Sequence, residues 1–106
     1  MIGIIQKAES LNTVPPNVVT LGANAAADVL PSRIDDGRTW VYRFIQNETG
    51  APLYVCYNYT CDVAGKSYHV ILEDKQQLSI QTTGRVSCVS TLGGNVLTLE
   101  MERVRV

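Results

Sequence analysis

Short runs rich in Val, Ile, Leu, Tyr and Thr recur between well-marked turns along this chain, and that rhythm constrains the fold more than any other feature. The runs are Val18–Leu21, Thr39–Gln46, Leu53–Asn58, Ser67–Leu72, Gln77–Gln81, Val86–Ser90 and Asn95–Val104. Between them stand DDGR at 35–38, NETGAP at 47–52, EDK at 73–75, TTGR at 82–85 and LGGN at 92–95. These stretches supply the Gly, Asn and Asp that accept positive φ or bond their own backbone. No window sustains a 3.6-residue apolar period, so the pattern predicts an all-β chain, a single antiparallel β-sandwich or jelly-roll-like small barrel. The stretch ANAAADVL at 23–30 reads either as one helical turn or as a loop.

With 106 residues the chain makes one domain, long enough to bury a core without metal or disulfide staples. Charged residues are only 18 % of the total, below the roughly 25 % of ordinary soluble domains, which points to a surface partly covered by a partner. Ten acidic and nine basic residues, spread without runs, leave no electrostatic footprint for a phosphate backbone, so nucleic acid is not an expected partner. No membrane partner is expected either, since nothing approaches the roughly 20 apolar residues of a membrane-spanning helix. The opening MIGIIQKAES lacks the basic flank and long apolar stretch of a signal peptide, which predicts synthesis in a cytosol.

Alternation predicts which faces are dry. Trp40, Tyr42 and Phe44 share one face of their strand and Val41, Arg43 and Ile45 the other, so that strand is expected to be covered on both sides. In the last strand Leu97, Leu99 and Met101 form the expected dry face, with Thr98, Glu100 and Glu102 wet. Pro15 and Pro16 cannot donate to a ladder, which places residues 1–16 outside the sheet as an extended N-terminal arm and 17–106 in the sandwich. The arm's Met1, Ile2, Ile4 and Ile5 are poor candidates for free solvent and are expected to dock on this domain or on a neighbouring copy.

Chemistry-bearing residues are few. Cys56, Cys61, His69 and Cys88 make a set zinc would accept, but the spacing lacks paired knuckles, and buried thiols acting as small apolar groups are the preferred reading over a Cys56–Cys61 disulfide. Asn47-Glu48-Thr49 and Asn58-Tyr59-Thr60 fit the glycosylation pattern, while Asn also serves in turns. His69 has Ser67 nearby but no nucleophile elbow, and Asp35-Asp36 and Glu73-Asp74 fall in predicted turns. No catalytic, cofactor or metal site is therefore assigned. Tyr54, Tyr57, Tyr59 and Tyr68 cluster on two nearby strands and form the expected interface, since tyrosine offers contact area with a polar tip.

The stretches RTWVYRFIQNETGAPLYVCY, SYHVILEDKQQLSIQTTGRVSCVS and GGNVLTLEMERV carry a further pattern: Ile45-Gln46-Asn47, Leu53-Tyr54-Val55, Ile71-Leu72, Leu78-Ser79-Ile80, Gly84-Arg85-Val86 and Leu99-Glu100 at strand ends and starts. In this the chain resembles small β-sandwich structural proteins of bacteriophage particles, over about residues 38–104. It departs at EDKQQ, where such proteins commonly carry a Pro-Gly turn. The resemblance implies a virion component that is not an enzyme and takes no cofactor. It would be a capsid decoration, cement or vertex protein, or a tail part, made in the host cytoplasm and homo-oligomeric against a major capsid protein or other virion proteins. A tail or spike module binding a host-surface glycan is the alternative.

Overall fold

The computed structural model describes residues 11–35, 39–62 and 68–103, and within them the side chains of all but 11–15, 39–42, 102 and 103. Eight strands form: β1 (Leu11–Leu21), β2 (Ala27–Leu30), β3 (Thr39–Glu48), β4 (Leu53–Tyr57), β5 (Val70–Leu72), β6 (Gln77–Ile80), β7 (Val86–Val89) and β8 (Gly94–Arg103). They make two antiparallel four-stranded sheets, a first in the order β1-β8-β3-β6 and a second in the order β2-β7-β4-β5. The pairings β1 with β8, β2 with β7, β3 with β6 and β4 with β5 nest inside one another, as in one long ribbon folded over. Contacts of β3 with β8 and β4 with β7 then close each sheet. This is the strand order of a jelly roll.

Between the sheets lie Leu21, Leu30, Ile45, Leu53, Val55, Leu72, Ile80, Val86, Cys88 and Val96, all buried. In β4 the alternation operates as its sequence predicts: Leu53 and Val55 enter this core while Tyr54 and Cys56 join a smaller cluster on the outer face. Each aliphatic side chain removed from water contributes roughly 1.5–3 kcal/mol, which sets the register of the inner face.

Three expectations are corrected. First, β1 begins at Leu11 and its residues 11–14 pair with β8, so the strand crosses the boundary expected at 16/17. The register shifts between Val14 and Asn17, and Pro15 and Pro16 fall in that irregularity on an edge strand, where a missing N–H removes no ladder bond. Residues 1–10, with Met1, Ile2, Ile4 and Ile5, lie outside the described residues. Second, ANAAADVL holds strand β2, which pairs Ala27 with Cys88.

Third, β8 is turned over relative to its apolar pattern. Val96, Thr98 and Glu100 are buried, while Leu97, Leu99 and Met101 are only half-buried. The cause is the cross-strand register: Arg43 lies opposite Glu100, Ile45 opposite Thr98 and Asn47 opposite Val96, and all six are buried. Phe44, opposite Leu99, shares the outer face. A second irregularity lies between Trp40 and Tyr42, so the unbroken register that joins Tyr42 to Phe44 does not extend back to Trp40.

Candidate functional site

At the end of β4 the chain turns at Asn58, whose φ of 67° is one Asn tolerates. Residues 58–61 then cover the outer face of the second sheet. Cys61 lies 5.4 Å from Cys56, Cα to Cα, and the two are joined as a disulfide, which corrects the expectation of reduced thiols. The Cys61 N–H donates to Ser87 Oγ at 3.2 Å, and the cystine packs with Val89, Ala26, Tyr54 and Tyr59. Cys88 remains a free, buried thiol on the opposite, inner face.

Around this staple the tyrosines fall into two ring groups. Tyr54 and Tyr68 meet edge-on with centroids 5.1 Å apart. Tyr57 stacks on His69 at 5.0 Å, and Tyr59 meets the same imidazole edge-on at 5.2 Å. His69 is fixed by its own N–H to the Val55 carbonyl (2.9 Å) and by Nδ1 accepting the Tyr57 N–H (3.1 Å). The structure thus gathers all four sequence-predicted tyrosines at the β4–β5 edge. Tyr68, His69 and Ile71 are exposed, and Tyr57 packs on the core.

A second surface is built from side chains that the alternation grouped together but assigned to the dry face. On the outer face of the first sheet Phe44, Leu97, Leu99 and Met101 join Pro16 around a shallow cleft of about 390 Å³. Behind it, Glu100 is held by two guanidiniums: Arg43 Nε at 2.9 Å, and Arg33 through Nε at 3.2 Å and Nη2 at 2.9 Å. Arg43, itself buried, also donates to the carbonyls of Thr82 (2.6 Å), Gly84 (2.7 Å) and Pro31. The charge pair explains the outward apolar face, because the carboxylate needs its partners inside and the alternate residues must then point out.

Comparison with protein-family models, with curated proteins and with solved structures finds no match. The geometry therefore carries the functional reading.

The remaining candidates disperse. Of the four residues a zinc site would use, Cys56 and Cys61 bond each other and Cys88 lies across the sheet. Ser67 and Asp36 lie outside the described residues. Asp74 Oδ1 accepts the Gly50 N–H at 3.0 Å, a turn role. The EDKQQ stretch makes a four-residue turn closed by Gln76 N–H to the Glu73 carbonyl (3.0 Å), with Lys75 at φ 68° in the third position. A type II turn takes glycine there, so the chain keeps a Pro-Gly type of backbone without those residues. Asn47 of the first glycosylation triplet is fully buried.

Proposed function

We propose that this protein is a bacteriophage virion structural protein, a minor capsid component that decorates, cements or caps the shell through contacts between subunits. The observation that carries the reading is a jelly roll whose first sheet turns Phe44, Leu97, Leu99 and Met101 outward. Jelly rolls serve in viral capsid and lectin domains, and fold alone does not choose a function. The outward apolar face favours assembly over catalysis, because an interface is where half-exposed apolar side chains gain most from being covered. The Cys56–Cys61 cystine fits a protein that works outside a reducing cytosol, as a released particle does. In this reading the partners are a major capsid protein and further copies of the chain, repeated weak contacts adding through multivalency. The chain needs no cofactor and performs no reaction.

The test is a cryo-EM map of purified particles together with their protein composition. The expected result is this chain's density on the shell at defined symmetry positions. A particle that lacks the chain would sink the proposal.

The Tyr54–Tyr68 ring pair, with Tyr68 exposed and Tyr54 half-buried behind it, supports a second reading, a tail or spike module binding a host-surface glycan. Density confined to the tail, with binding to cells abolished by soluble sugar and by Tyr68→Ala, would favour it.

A further inference from the structure

We propose that the outer face of the first sheet is a homodimer interface, packing against the same face of a second copy about a two-fold axis. The inference rests only on the homo-oligomer part of the reading above, and its failure is separable from that of the virion assignment.

Three properties of the face select a copy of itself as occupant. The first is composition. The outward positions in the middle of the sheet are Val18, Phe44, Leu97, Leu99 and Met101, with Val18 51 % exposed. Val18 is open and Leu97, Leu99 and Met101 are half-buried, so covering them with a partner removes further apolar surface from water, and the middle of an interface is where charges are depleted.

The second is charge. Among the described residues the only charged side chain pointing out from this face is Glu48, and Lys75 pairs with it at the margin. A face bearing net charge repels its own image across a two-fold axis, and among the described residues this face carries only the paired Glu48 and Lys75. Its polar rim consists of Gln46, Gln77, Ser79, Asn95 and Thr20, whose amides and hydroxyls both donate and accept. Gln77 Nε2 already donates to Gln46 Oε1 at 2.7 Å, and Thr20 Oγ1 to Asn95 Oδ1 at 2.9 Å. Groups of that kind are self-complementary under a two-fold rotation, where residue i of one copy meets residue j of the other and the reverse.

The third is size. With β3 and β8 each ten residues long, strand spacing and rise give the face roughly 550 Å² per copy. Two such faces bury about 1,000 Å², the extent at which specific interfaces separate from casual contacts.

The experiment is sedimentation equilibrium of the whole protein across the micromolar range, with Val18→Lys, Leu99→Lys and, on the other sheet, Tyr68→Lys. The wild type is expected to sediment as a dimer. Val18→Lys, at an exposed position, is expected to weaken association at least about tenfold while keeping the wild-type melting temperature. Leu99→Lys should do the same or more, and Tyr68→Lys should leave the dimer intact. A monomeric wild type, a dimer indifferent to both Lys substitutions on the face, or a dimer lost in Tyr68→Lys would each overturn the proposal. A purified particle without the chain would instead overturn the virion reading and leave the dimer standing.

Discussion

Asn47 shows how one side chain organises a turn that its sequence only hints at. Its Nδ2 donates to the carbonyls of Ala51 (2.7 Å) and Leu72 (2.9 Å), and its Oδ1 accepts from the N–H and Oγ1 of Thr49 at 2.9 and 2.7 Å. Replacing it with Ala strips Leu72 O and Thr49 N–H of these partners in a buried place, where each orphaned group costs roughly 1–3 kcal/mol. Asn47→Ala is therefore expected to lower stability by about 2 kcal/mol or more, seen as a lower urea midpoint at unchanged slope. A spacing rule finds the Asn-x-Thr triplet; burial, which depends on β5 arriving from elsewhere in the chain, decides that it is a turn and not an acceptor site. Cys88 behaves in the same way. Burial pushes its thiol from an ordinary value of 9.0 up to about 12. Since the folded pKa is the higher one, the unfolded chain releases this proton first. Stability is intact below pH 9 and falls as pH rises towards 12, by up to about 1.4 kcal/mol per pH unit for one proton. Tyr57, raised by burial and then by the nearby Cys88 thiolate, acts in the same direction at higher pH. The expected outcome is a melting temperature that declines above pH 9, with no thiol titratable by an aromatic disulfide reagent until the protein unfolds. A Cys88→Ala variant should show a shallower alkaline decline.

At the level of elements, the positions of seven strands were legible because apolar runs and turn residues are local signals. β2 was not, since its Ala-rich sequence lacks β-branched residues apart from Val29, and it extends only because β7 offers it a ladder. The facing of β8 was legible in period and inverted in phase. Two-residue alternation fixes which residues share a face, and it cannot say which face is inner when a buried Arg–Glu pair outranks three apolar side chains. Arg43 is the pivot, tying β3 to β8 and to the 31–33 and 81–85 connections at once. Arg43→Met is expected to cost about 3 kcal/mol or more, because Arg33 still holds Glu100 while one charge-assisted bond and the donor to three carbonyls are lost in a buried place. Adding Glu100→Leu should recover only part of that loss, because the Thr82, Gly84 and Pro31 carbonyls still lack their donor. Full recovery in urea unfolding would show that the charge pair alone matters. The cystine is a second local tie. It closes a loop of six residues, so reduction is expected to cost about 2 kcal/mol and to free Tyr59 from its packing. A melting curve with and without reductant, alongside a Cys56→Ala/Cys61→Ala double variant, measures it.

For the whole molecule, the nested pairing sets the order in which stability is built. β4 and β5 are joined by the shortest detour of the ribbon, and each pair outward spans a longer loop, until β1 and β8 join the two ends of the described chain. Loop closure makes the outermost pair the costliest to form and the easiest to lose. That pair also carries the proposed dimer face, so its integrity decides what a truncation means. Removing residues 1–10 leaves every described ladder pair in place. Removing 1–14 deletes Leu11, Asn12, Thr13 and Val14, four of the nine register pairs between β1 and β8. The shorter truncation is expected to keep the wild-type unfolding midpoint, whereas the longer one should lose on the order of 2–4 kcal/mol at roughly 0.5–1 kcal/mol per pair. The two together separate functions that one truncation would confuse. If loss of 1–10 alone abolishes association with particles while the fold is unchanged, the apolar Met1, Ile2, Ile4 and Ile5 carry a contact of their own. If association survives that cut and fails only with 1–14, the first sheet is the contact surface and those residues are not needed for it.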